Sequence, residues 1–405
     1  MKKLVFLFVA MSFFSCQKDT IQKEPIPIEI SLKAQEILRA NNQFGFDVLK
    51  KAFESDGSQN LMISPLSIAQ ALSMTYNGAR GETKTAFENA LHFDGQTTPE
   101  VNQAALELTN ALLEVDKRIE ISIANSIWYK QDFSVESEFI NSNKEYYNAE
   151  VSALDFANTN SKNTINNWVD KKTNHKITEI VDVINPDDRM FLINAIYFKG
   201  VWKFEIDKNN TAQKPFYLSN GTVKNCATMF ADDNFAVNYA STFSAIELPY
   251  GQGNYSMIIL LPTDDSSLGE LMSQLDEPTW NNIIQGMSVP TSRLLYLPKF
   301  KFEYENELND ELIDLGLGNA FSDSADFSGI CKNESIAISR VKHKTFIEVN
   351  EEGTEAAAVT SVTMGATSAG PTSAVFAVDH PFLFAIKEKY TNAILFVGTV
   401  TDPCQ

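Results

Sequence analysis

Between Lys344 and Lys387 this 405-residue chain has no lysine or arginine. Other chemistry-bearing residues are sparse as well. The four histidines are His92, His175, His343 and His380, and no G-x-S-x-G or H-E-x-x-H motif is present. A serine hydrolase or zinc hydrolase of the common kinds is therefore not expected. The four cysteines, Cys16, Cys226, Cys331 and Cys404, lie far apart with no C-x-x-C spacing. Neither a zinc site nor a disulfide framework is expected, and Cys226, Cys331 and Cys404 are read as buried or near-surface thiols. No metal or cofactor is anticipated. The body has no apolar run of 18 residues, so it is not membrane-spanning. Acidic residues outnumber basic ones, 52 to 33, for a net charge of -19. Such a surface disfavours nucleic acid and bare anionic lipid.

What the chain does have begins at its N-terminus. Met1-Lys2-Lys3 is followed by Leu4–Phe14, apolar or small apart from Ser12. That run suits a secretory signal and is too short for a spanning helix. It ends in Phe13-Phe14-Ser15-Cys16, which resembles a bacterial lipobox. The resemblance implies a signal peptide over 1–15, lipidation of Cys16 and anchoring at the outer membrane. Residues 16–30, with two prolines and mixed charge, are expected to be an extended tether. An ordinary signal peptide with a chance cysteine is the alternative.

The body, 31–405, reads as one α+β domain, with helices early and strands late. Phe46, Leu49 and Phe53 place a helix over 31–55 that ends at Asp56-Gly57. Ser64-Pro65 opens a second helix, stopped by Gly78 and Gly81, and Thr98-Pro99 a third. Ile119, Ile121 and Ile123 alternate into a strand through Tyr129. A helix follows over 163–173. Apolar runs at 191–198, 255–261, 294–302, 382–386 and 393–400 read as strands, with Pro298 marking an edge or a bulge.

Several blocks, in order, resemble the serpin family. They are NLMISPLSI at 60–68, NAIYFKGVW at 194–202, ELPY at 247–250, EEGTEAAA at 351–358, DHPFLF at 379–384 and LFVGTVTDP at 395–403. A further block includes Thr173-Asn174-His175, where the family has glycine in place of His175. Glycine suits a left-handed turn after a helix, and His175 can adopt it at some cost.

The resemblance implies a single large domain of mixed β-sheets and surrounding helices with an exposed reactive loop at about 353–378. It implies a protease inhibitor, not an enzyme, that acts as a suicide substrate and monomer. Glu351, Glu352, Gly353, Thr354 and Ala356, Ala357 and Ala358 match the loop hinge. Ser64, Ser67, Asn194 and His343 match the polar shutter under the main sheet, and Trp202 the breach where the loop enters. His343 as a plain strand residue and Trp202 as core packing are the alternatives. Family spacing places the reactive bond at Thr367–Ser368, with Met364, Gly365 and Ala366 as alternates. The non-inhibitory alternative is a serpin-fold protein that is merely cleaved or binds a ligand.

The loop composition carries its own logic. Residues 353–378 are mostly small or β-branched, as in a long exposed loop, functional or a disordered insertion. Thr354, Ala356, Ala358, Thr360, Val362, Met364 and Ala366 are uncharged alternate positions that would share one strand face. Glu355, Ser361 and Thr363 fall on the other. Gly353 to Thr367 would span roughly 46 Å as a strand. Without a basic residue the loop offers nothing to an acidic specificity pocket. The expected partners are elastase-like and subtilisin-like serine proteases, with papain-like cysteine proteases second.

Overall fold

Local capping decides where the first helices start in the computed structural model, which describes residues 24–354 and 374–404. The side chain of Ser31 accepts from Ala34 N at the head of α1 (Leu32–Asp56). After β1 (Leu61–Ile63), Ser64 caps α2 (Pro65–Tyr76) in the same way, with Pro65 in the first turn. The Ser-Pro reading therefore holds, but Gly81 does not stop this helix. It opens another, α3 (Gly81–Ala90), at φ 51°. The third expected start is displaced by one residue. Thr97, not Thr98, caps α4 (Thr98–Glu114), in a reciprocal box with Glu100.

Next come β2 (Ile119–Lys130), α5 (Ser137–Tyr147), β3 (Glu150–Leu154), α6 (Asn160–Lys172) and β4 (Met190–Val201). The chain leaves α6 through Asn174 and His175, both left-handed at φ 49° and 63°. Asp170 holds His175 there, through its carbonyl to the backbone N–H and its carboxylate to the ring. Then follow β5 (Ala212–Tyr217), β6 (Val223–Tyr239), β7 (Phe243–Tyr250), β8 (Tyr255–Pro262), α7 (Leu268–Gln274) and α8 (Glu277–Gln285). The chain ends with β9 (Thr291–Pro298), β10 (Phe300–Glu307), α9 (Asn309–Asp314), β11 (Lys342–Asn350), β12 (Gly353–Thr354), β13 (Ala374–Ala377), β14 (Phe382–Glu388) and β15 (Ile394–Val400).

The strands form two sheets. A nine-stranded sheet runs β1-β15-β14-β8-β7-β6-β9-β13, with β5 on β6. A six-stranded sheet runs β10-β11-β12-β4-β2-β3. The 294–302 run, expected as one strand, is cut at Pro298 and Lys299: β9 belongs to the larger sheet and β10 to the smaller. Pro298 ends its strand, consistent with its lack of an N–H. α6 covers one face of the six-stranded sheet, where Ile165, Trp168 and Val169 pack with Ile193 and Ala195. α2 lies beneath the other face.

Two further expectations are corrected. Cys226 and Cys404 are joined as a disulfide, while Cys331 is a buried free thiol. The pairing spans 178 residues, and composition could not reveal it. The end of the supposed tether is part of the body. Pro25 is buried, and Ile26 exchanges two hydrogen bonds with the side chain of Asn254, at 2.9 and 2.7 Å. Cys16, Ala356–Ala358, Thr367–Ser368 and the alternates Met364, Gly365 and Ala366 lie outside the described residues. No described helix is long and apolar enough to cross a membrane.

Candidate functional site

Among the described residues, the six-stranded sheet is incomplete in its middle. The two-residue strand β12 sits between β11 and β4 and is antiparallel to both. Gly353 faces Asn350 and Val201, and Thr354 faces Val349 and Gly200. Beyond Thr354, no described strand pairs with the inner edge of β4 from Met190 to Lys199, or of β11 from Lys342 to Glu348. With one strand between them, β4 and β11 stand about 9.6 Å apart at this end. Further along lies a cavity of about 350 Å³, bounded by Met190–Asn194, Lys342–Lys344 and α2. Two parallel strand edges thus face each other with no described strand between them beyond Thr354.

The head of this gap is tightly organised. The Trp202 indole N–H donates to Asn350 O at 2.9 Å, and Trp202 N to Glu352 O at 3.0 Å. Trp202 stacks on Tyr250 with centroids 4.4 Å apart. The Tyr250 hydroxyl is 2.6 Å from that of Thr354, so the inward face of β12 is fixed. Gly353 has φ 143°, and a Cβ there would overlap the Gly200 carbonyl oxygen, so only glycine fits. The Glu351 carboxylate receives the Lys299 ammonium at 2.9 and 3.2 Å and the Thr211 hydroxyl at 2.8 Å. Burial pushes its pKa up, but these donors outweigh burial and hold it below the ordinary carboxylate range. Glu352 pairs with Lys208 at 2.5 Å.

The polar residues under the sheet form two sets. Ser64 N–H donates to His343 Nε2 at 3.0 Å, while Ser64 Oγ accepts from Ser67 N at 3.2 Å. His343 is therefore a neutral acceptor, and burial lowers its pKa from 6.5 to about 3. Asn194 belongs to the other set. Its amide donates to Gln70 Oε1 at 3.1 Å and Asn125 Oδ1 at 2.7 Å. Its own Oδ1 is buried with no hydrogen-bond partner among the described residues. Ser67, Asn194 and His343 all line the cavity.

This architecture has relatives. Residues 39–403 match the model of the serpin family, described as serine protease inhibitors. The chain belongs to the serpin family. An uncharacterised serpin-like protein of Methanosarcina mazei is 36% identical over 383 residues, covering 92% of this chain and 89% of the relative. The bovine leukocyte elastase inhibitor is 32% identical, covering 91% and 100%. Among solved structures, the thermophilic serpin tengpin in its native state superposes with a TM-score of 0.84 at 32% identity, covering 94% and 98%. Human thyroxine-binding globulin complexed with thyroxine also reaches 0.84, at 25% identity, covering 92% and 100%.

In this serpin, the expected breach and hinge residues Trp202, Glu351, Glu352, Gly353 and Thr354 do meet at one place. Of the four expected shutter residues, Ser67, Asn194 and His343 line one cavity and Ser64 bonds His343, but Asn194 does not bond the other three. Sequence reading missed Gln70, Asn125, Tyr250, Thr211 and Lys299. Gln70 and Asn125 carried a signal only as the single amide side chains of α2 and β2. Lys299 and Thr211 carried none.

Proposed function

We propose that this serpin is a suicide-substrate inhibitor whose loop, once cut at Thr367–Ser368, fills the gap between β4 and β11. The observation that supports this most is the register of β12. Continued one residue at a time, it sets Ala356 between Phe198 and Ile347, and Ala358 between Ile196 and Thr345. Thr360 then falls between Asn194 and His343, and Val362 between Leu192 and Val341. The inward face begun by Thr354 thus receives only uncharged side chains. Ala356, one of the smallest, lies between Phe198 and Ile347, two large neighbours. Thr360 brings a hydroxyl to Asn194 Oδ1, which has no hydrogen-bond partner among the described residues. Insertion would complete two open strand edges at once.

The chemistry follows from that geometry. The protease's nucleophile attacks the Thr367 carbonyl, the peptide bond to Ser368 breaks, and Thr367 stays esterified to the enzyme. Insertion then competes with hydrolysis of the ester. If insertion wins, the enzyme is carried along the sheet and its active site is distorted. Loop composition favours elastase-like and subtilisin-like targets, with papain-like cysteine proteases second. The protein works as a monomer held at the outer membrane by lipid on Cys16. Residues 17–23 link that lipid to the docked Pro25, a reach of at most about 25–30 Å.

A protease panel tests this reading. Elastase or subtilisin should give a covalent complex that survives SDS. Cleaved serpin with fully active protease would instead favour the non-inhibitory alternative. Membrane fractionation tests the anchor: Cys16→Ser should move the protein to the soluble fraction.

A further inference from the structure

The Cys226–Cys404 bridge joins two parts of the chain that a cut in the loop would separate. Cys226 lies in β6, and Cys404 follows β15 at the C-terminal end. Any cut between residues 355 and 373 leaves β13, β14 and β15 on a second chain. Cys404 is the only cysteine on that side of the cut. Strand pairing and the tail contacts would otherwise be all that retained the fragment. Those contacts are substantial: Asn60 accepts from Thr401 N and Asp402 N and donates to Asp402 O, and Lys224 pairs with Asp402. They are nevertheless reversible, and other copies of the same hairpin can compete for them.

The hairpin is a valuable piece to hold. β14 and β15 lie inside the nine-stranded sheet, between β8 and β1, and Phe382–Ile386 are almost fully buried. On their N-terminal side the covalent link to the body runs through β13, paired with β9, and then through the 19 residues 355–373, whose fully extended length is roughly 60 Å. A hairpin on such a leash can take the same place in a second copy, a low-cost route to linked molecules.

We propose that the Cys226–Cys404 bridge is a latch that makes the C-terminal hairpin a permanent part of one molecule, retaining it after the loop is cut and blocking its exchange with a second copy. It rests on the loop being cut, as in the reading above, but not on inhibition succeeding. Export to an oxidising compartment, as the N-terminal signal implies, is where such a bond persists.

The test uses the full protein cut by pancreatic elastase, with mass spectrometry to confirm a cut within 355–373. On an SDS gel the cut protein should run as one species without reductant and as two with it. A small fragment already free without reductant would overturn the latch. Absence of a protease complex would count against inhibition while leaving this result readable. Exchange is tested by holding wild type and Cys404→Ser just below their melting temperatures and sizing them by gel filtration. Wild type should stay monomeric and Cys404→Ser should form dimers and larger species; equal behaviour would overturn the exchange block. If Cys404→Ser fails to fold, folded wild type reduced with a phosphine takes its place, with the same two outcomes.

Discussion

Thr360→Val is the sharpest perturbation, because the side chain keeps its shape and loses only its hydroxyl. Thr360 lies outside the described residues; if it enters the sheet only after the cut, the melting temperature of the intact protein should not change. In the cut protein the register places Thr360 beside Asn194, whose Oδ1 has no partner among the described residues. Leaving that buried oxygen unpaired costs about 1–3 kcal/mol. For a body of this size, that lowers the melting temperature of the cut form by about 1–4 °C. If half of the cost is felt while the strand is entering, insertion slows about 2–13-fold. Hydrolysis of the ester is untouched, so the inhibitor consumed in excess of one per protease rises by the same factor. Titration of elastase measures that excess, and calorimetry of the cut protein measures the melting shift. Ser361→Ala, on the opposite strand face, should change neither. If Thr360→Val is silent in both assays, the register is wrong; if Ser361→Ala is the damaging change, it is wrong by one residue.

Three further expectations concern the hinge and the buried histidine. Glu351→Lys sets two ammonium groups together and strips Lys299 and Thr211 of their acceptor, costing about 1–3 kcal/mol at the head of the gap; native gels should show oligomers or a loop-inserted monomer, and wild-type behaviour would remove the clamp role. Thr354→Arg places a charge where Tyr250 and the sheet interior lie, so the loop should be cut without trapping the protease; undiminished complex formation would count against insertion. His343 is held neutral, with a folded pKa of about 3 against an ordinary 6.5. The unfolded chain binds the extra proton, so stability is complete above pH 6.5 and falls as pH drops toward 3, by about 2 kcal/mol at pH 5. Denaturation midpoints at pH 7.5 and 5 should differ by less in His343→Gln, and an equal difference would assign the acid loss to other groups.

The parts of the fold legible in the sequence were those decided locally. Ser31, Ser64 and Pro65 announce helix starts because a cap needs only residues three positions away. The apolar runs of β4, β8, β14 and β15 announce buried strands for the same reason. His175 was readable as a strained turn residue, and it does take a left-handed conformation. Long-range facts were not legible. The corner at Pro298 and Lys299 depends on which sheet each half joins. Cys226 and Cys404 meet only because β6 and the C-terminal tail fold side by side. At the site, the family resemblance found Trp202, Thr354, Asn194 and His343. It did not show that Asn194 bonds Gln70 and Asn125 instead of His343, because that depends on how α2 docks beneath the sheet.

The most direct test compares the melting temperature of the intact serpin with that of the protein cut once in its loop and still bridged by Cys226–Cys404. A loop strand that fills the gap between β4 and β11 should raise the melting temperature well above that of the intact form. A cut protein that melts at or below the intact temperature would contradict a vacant strand position as the driving force.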